Sequence, residues 1–174
     1  MKTLIIKLSL LVLCISLLAC KKDKEEVMPD YSMTGSNTFA AFVNGQLWVP
    51  KGRPSTFQPN LQLIYDPNYN GGSFDIRAYR VNENSNTHEL IAMNISQVDR
   101  TGLYNLGNRQ EGRVLYESNK CIYEGDEGEV EGVLEITKLD LQNGIIAGKF
   151  EFTLIKTDCD TVRVTEGRFD KKIF

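Results

Sequence analysis

The chain has 174 residues, 20 Lys and Arg against 23 Asp and Glu, a formal net charge of −3 and a single histidine. Such mild acidity carries no general attraction for nucleic acid or anionic headgroups, and no stretch beyond residue 37 interleaves basic and aromatic residues as nucleic-acid surfaces do. One histidine also excludes histidine-rich zinc sites.

The chain begins with Lys2 and Lys7 followed by an apolar run from Leu8 to Ala19, broken only by Ser9, Cys14 and Ser16. Those twelve residues fall short of the roughly 20 that a helix needs to cross a hydrocarbon core. A basic start, a short apolar middle and a small residue at the end form a secretory signal. Its end, Leu17-Leu18-Ala19-Cys20, resembles the lipobox of bacterial lipoproteins, in which the signal is cut before the cysteine and the thiol is acylated. Two or more acyl chains make a stable anchor, at about 0.8 kcal/mol per buried CH₂. The expectation is a signal peptide over 1–19 and a lipid on Cys20. Lys21 to Asn37 is charged, then rich in Ser, Asn and Gly, and reads as a flexible tether. Within it Lys24-Glu25-Glu26 resembles a short surface-export signal, against the plainer reading of a solvated charge run.

Cleavage leaves residues 20–174, 155 in number, with a net charge of −5 once Lys2 and Lys7 are gone, a size suited to one domain over 38–174. With Cys14 removed and Cys20 acylated, Cys121 and Cys159 remain in an oxidising compartment and form the one pairing the domain allows. The competing reading is two free buried cysteines acting as small hydrophobes.

From residue 38 the chain reads as strands. "TFAAFV" and "QLWVP" flank Asn44-Gly45, a type I′ hairpin signal. "LQLIYD" and "SFDIRAYRV" flank the loop "PNYNGG", and "HELIAMNIS", "GLYNLG", "RVLYES" and "CIYEG" follow, each cut by Gly, Asn or Ser. "GVLEITKLD" alternates Leu134 and Ile136 against Val133, Glu135 and Thr137. After Asn143-Gly144, Ile146, Phe150, Phe152 and Leu154 share one face. In "TVRVTEGRF" the parity slips between Val164 and Phe169, which predicts a bulge at Gly167. Period two repeats and a sustained 3.6 period does not. The fold class expected is all-β, an antiparallel sandwich or a partly open barrel of roughly ten short strands, rich in meanders.

The segments "TFAAFVNGQLW", "TGLYNLG", "GVLEITKLD", "IIAGKFEF" and "VRVTEGRFD" also resemble a set of small Bacteroidetes-type lipoproteins that share a domain of unknown function. The resemblance spans roughly Thr38 to Phe169. Because its motifs are turn and core residues, it implies the fold and an exported lipoprotein, and it transfers no active site.

Candidate chemistry is sparse. His88, beside Glu89, has no oriented partners legible in the sequence. Asp66, Asn68 and Asn70, followed by Gly71, match the start of a calcium loop, with Asp75 as the candidate further carboxylate. The twelfth position is Arg77 where a bidentate Glu belongs, and a hairpin turn explains the same residues. The acidic segment Glu124–Gly132 holds Glu124, Asp126, Glu127, Glu129 and Glu131. Tyr65, Tyr69, Phe74, Tyr79, Tyr104, Tyr116 and Tyr123 are candidate stacking surfaces. Asp160-Thr161-Val162 resembles a three-residue O-glycosylation sequon. No cofactor motif is present. The function expected is a non-enzymatic binding or interaction module, lipid-anchored at the outer membrane and possible to display at the surface, with a protein or glycan ligand. The alternatives are an envelope glycan hydrolase using two loop carboxylates, and a structural subunit of an outer-membrane complex.

Overall fold

The computed structural model describes residues 26–82, 85–108, 110–124 and 128–174. The signal segment, Cys20 and tether residues 21–25 lie outside the described residues.

Eleven strands run in order: β1 (Thr38–Val43), β2 (Gln46–Trp48), β3 (Leu61–Asp66), β4 (Ser73–Asn82), β5 (Thr87–Ile95), β6 (Gly102–Asn105), β7 (Gly112–Glu117), β8 (Ile122–Glu124), β9 (Glu129–Asp140), β10 (Ile145–Ile155) and β11 (Val162–Lys172). They form two antiparallel sheets, β2-β1-β11-β10-β9-β6 and β3-β4-β5-β7-β8, which do not close into a barrel. Of the two architectures the strand pattern allows, the fold is the sandwich. Two meanders, β3-β4-β5 and β9-β10-β11, make up most of it, and the first long strand, β1, pairs with the last, β11.

The period-two faces lie where burial requires them. Phe39, Phe150, Phe152, Leu134, Ile136, Val162, Val164 and Phe169 line the inner face of the six-stranded sheet, and Phe74, Ile76, Ile91, Met93, Ile95 and Val114 that of the other. The Phe74 and Phe169 rings meet across the interface with centroids 5.6 Å apart. Asn44 and Gly45 both take positive φ, 48° and 79°, as a type I′ turn demands, and Val43 pairs with Gln46 across them.

The parity slip in β11 is a bulge. Phe150 pairs with Gly167, but Phe152 pairs with Val164, so Thr165 and Glu166 together stand opposite Glu151, one residue more on β11 than on β10, and Glu166 carries φ 51°. The bulge keeps Val162 and Val164 inward on one side of it and Gly167 and Phe169 inward on the other. Around it the glycines and aromatics interlock. Gly148 is the cross-strand partner of Phe169, and Gly167 that of Phe150. A Cβ at Gly148 would come within 2.4 Å of the Glu135 carbonyl and 2.8 Å of the Phe169 ring.

Residues 26–37, read from composition as part of the flexible tether, lie against the domain. Asp170, only 1% exposed, takes hydrogen bonds from the Ser32 hydroxyl at 2.5 Å and from the backbone N–H groups of Thr34, Gly35 and Ser36 at 2.9, 2.7 and 3.1 Å. Gly35, at φ 78°, permits the curl that points these successive N–H groups at one carboxylate. Tyr31 bonds Thr137 and stacks beneath Lys149, whose Nζ is 4.7 Å from the ring centroid. Lys138 donates to the Met33 carbonyl and Arg168 to that of Pro29. Burial pushes the Asp170 carboxyl up, but the bonds from Ser32, Ser36, Thr34 and Gly35 together outweigh it and hold the group below its usual 3.8.

Two outcomes are expected. Gly148→Ala should lower stability by about 2 kcal/mol or more through overpacking, read as a lower denaturant midpoint at unchanged slope; an unchanged midpoint would contradict the close approach. Asp170 binds its proton more readily unfolded than folded, so its contribution is complete above the unfolded value near 4 and drains as pH falls through the lower folded value. Asp170→Asn should cost about 2–3 kcal/mol at neutral pH and flatten the acid limb of the stability curve. An equally steep acid limb in that variant would assign the acid sensitivity elsewhere.

Candidate functional site

A cleft of about 850 Å³ with converging polar groups lies at one end of the sandwich, between strand ends of both sheets. One wall comes from β1, β2 and the turn before β11, the other from β4, β5, β7 and β8. Its floor is tied across the two sheets: the Trp48 indole N–H on β2 donates to Glu89 Oε2 on β5 at 2.8 Å. Glu89 stands directly opposite Arg80 in the β4–β5 register, on the face that continues the inward alternation of Phe74, Ile76 and Ala78.

Tyr116 and Tyr123, opposite each other on β7 and β8, have ring centroids 5.9 Å apart. Burial, reinforced by the negative charge of Glu89, pushes the Tyr116 phenol up to about 12, while Arg80 opposes the shift. Tyr123 donates its hydroxyl hydrogen to the Asp160 carbonyl, and burial followed by the Asp160 charge raises its phenol as well. Beside it Cys121 and Cys159 are joined in a disulfide with Cα atoms 6.3 Å apart, within the roughly 7 Å a bridge spans. The bridge ties the start of β8 to the turn before β11, and so braces one cleft wall to the other.

At the mouth sit two cations held side by side by the backbone. After β2 the chain runs parallel to β4 for one bridge, Lys51 with Arg80, through Lys51 N–H to the Tyr79 carbonyl at 3.0 Å and Val81 N–H to the Lys51 carbonyl at 2.8 Å. Like charges so placed repel. Glu26, on the N-terminal segment, answers both: Oε1 is 3.1 Å from Lys51 Nζ and Oε2 is 3.1 Å from an Arg80 amine, while the other Arg80 amine donates to the Leu47 carbonyl at 3.2 Å.

Most residues singled out in the sequence lie elsewhere. His88 is on β5 facing away from the cleft, its Nδ1 3.8 Å from Glu117 and its ring 6.0 Å from that of Tyr79. In the candidate calcium loop, Asp66 accepts the Asn68 N–H at 2.9 Å, an Asx turn, and Asn70 and Gly71 supply positive φ of 51° and 72°. Asp75 is clasped by Arg77 through two bonds of 2.9 and 3.1 Å. Both features serve the turn and the sheet face. Among the described residues no three or more His, Cys, Asp or Glu side chains gather around a common point. The acidic segment is less a loop than its composition implies: Glu124 ends β8, and Glu129 and Glu131 belong to β9, while Asp126 and Glu127 lie outside the described residues. Of the aromatic candidates, Phe74 is fully buried, Tyr65 and Tyr104 bond the carbonyls of Val98 and Arg100, and only Tyr116 and Tyr123 reach the cleft. Nothing in the sequence marked Trp48, Lys51, Arg80, Glu89 or Glu26 as residues of one site. The alternation of β4 and β5, which sets Arg80 and Glu89 on an otherwise apolar face, was the available signal for two of them.

Comparison with known proteins yields one match. The sequence model of a family described as a domain of unknown function (DUF6252) matches residues 35–171. No curated protein and no solved structure matches the chain.

Removing the bridge tests the bracing of the cleft. The Cys121→Ser/Cys159→Ser double variant should lose about 4 kcal/mol, since the 38-residue separation sets a large loop-closure entropy in the unfolded chain. Non-reduced wild-type protein should show neither thiol free by mass spectrometry; two free thiols would remove the brace.

Proposed function

The chain belongs to the family defined by this domain of unknown function (DUF6252), and we propose that it is a non-enzymatic binding module, held by a lipid on Cys20 to the outer membrane, whose ligand seats in the cleft at the end of the sandwich. The observation that carries this reading is the cleft itself: about 850 Å³, within the roughly 300–1,000 Å³ of small-molecule sites, with Trp48, Tyr116, Arg80 and Glu89 converging on walls braced by a disulfide. Strands and bridge make those walls rigid before any ligand arrives, and rigidity limits the ordering cost of binding.

The hydrolase reading receives less support. Glycosidic cleavage needs two carboxyl groups flanking the scissile bond from opposite sides. Glu89 is committed to the Trp48 indole, and the two loop carboxylates lining the cleft, Asp158 and Asp160, stand two residues apart on the same turn. Envelope glycan fragments should therefore bind saturably without release of new reducing ends. Turnover abolished by Asp160→Asn would reverse the assignment.

The anchoring component rests on the lipobox-like end of the signal segment. Cys20→Ala should leave an unprocessed or soluble chain in membrane fractionation, whereas wild type partitions into detergent extracts. Retention of the variant through detergent-sensitive attachment would contradict lipidation at this residue.

A further inference from the structure

We propose that the cleft takes a carboxylate-bearing saccharide, that Arg80 and Lys51 bind its acid group, and that Glu26 is a built-in competitor which the ligand displaces. The inference rests on the cleft being a binding site and adds the class of ligand and a means of control.

The parallel bridge of Lys51 to Arg80 fixes two positive side chains next to one another by backbone hydrogen bonds alone, so their proximity persists whether or not an anion is present. Arg80 is further oriented by its bond to the Leu47 carbonyl. This is a preorganised receptor for one carboxylate, with a guanidinium supplying directional donors and an ammonium supplying charge. Both residues line the cleft. The chain itself demonstrates the fit: Glu26 presents one oxygen to each cation, both at 3.1 Å.

Glu26 is suited to displacement. Its partners are 60% and 31% exposed and Glu26 itself 26%, so water reaches both ion pairs and screens them. It precedes the anchored part of the N-terminal segment, whose hold on Asp170 begins at Ser32. The carboxylate can therefore leave the cations without dismantling that anchorage. A ligand acid adds contacts along the cleft that Glu26 lacks.

The remaining lining points to a sugar. Gln46, Thr87 and Ser118 bring the amide and hydroxyl groups that sugar hydroxyls bond, and the rings of Tyr116 and Tyr123 complete the wall behind them. A peptide captured by strand addition needs a long free edge. The edge strands nearest the cleft, β2 and β8, have three residues each.

Calorimetry on the intact chain at low salt tests this, using trigalacturonic acid and its trimethyl ester as an uncharged twin. The acid is expected to bind at least about ten-fold more tightly than the ester, and its affinity should fall as salt screens the pair. Glu26→Gln should tighten the acid about five-fold and leave the ester unchanged. Lys51→Gln, at an exposed side chain and so harmless to folding, should weaken the acid alone; Arg80→Gln should do so more strongly. Equal binding of acid and ester, indifferent to Glu26→Gln, overturns the carboxylate assignment while leaving the cleft a binding site. Binding of neither sugar overturns the inference and counts against the cleft as well. A tri-aspartate peptide bound as tightly as the sugar acid overturns the saccharide class.

Discussion

The bulge in β11 is the constraint on which the rest of the molecule depends. Side chains along a strand alternate with period two, so one additional residue reverses which face everything beyond it presents to the partner strands. Continued without interruption, the face that carries Val162 and Val164 would carry Glu166, Arg168 and Asp170, driving three charges into the interior and turning Phe169 outward. With Thr165 and Glu166 bulged, Gly167 and Phe169 face in and Asp170 faces out. Phe169 thereby meets Phe74 of the opposite sheet, and Phe150 finds a residue without a side chain beneath it. Asp170 is left to gather the N-terminal segment. A single local irregularity thus sets the sheet-to-sheet contact and the attachment of the chain's start.

That attachment shapes the functional end. Residues 32–36 are fixed by a buried carboxylate, an arrangement in which charge-assisted bonds more than offset the cost of burying it. Residues preceding them follow the domain and bring Glu26 to the Lys51–Arg80 pair. The segment that links the domain to a membrane anchor on Cys20 is, in this reading, also the segment that attends the cleft.

The sheets and the cleft divide the labour that rigid scaffolds usually divide with their loops. Apolar alternation ends at Ala78 on β4 and at Ile91 on β5, and the next inward positions are Arg80 and Glu89. The apolar core stops there and the cleft begins. Trp48 closes the floor and spends its one polar atom on Glu89, so the indole satisfies the carboxylate where the apolar interior gives way to the wet cleft.

Much of this was legible in the sequence because it is local. The Asn44-Gly45 turn follows from residues that tolerate positive φ, the inward sets of β9 and β10 from alternation, and the bulge from the parity slip at Gly167. The pairing of Cys121 with Cys159 follows from their being the two cysteines of residues 38–174. Tertiary structure alone decided what depends on which segments meet. Sandwich and open barrel share the same alternation, and only the pairing of β1 with β11 and the separate β3-β4-β5-β7-β8 sheet distinguish them. Composition cast residues 26–37 as tether because it registers how little apolar surface they bury, not the carboxylate more than 130 positions away that satisfies their N–H groups. Glu26, Trp48, Lys51, Arg80 and Glu89 lie on four separate segments, and no spacing joins them. They became a site only when the hydrogen-bond register of two sheets placed them within reach of one another, since a side chain's neighbours across a sheet are set by pairing rather than by sequence.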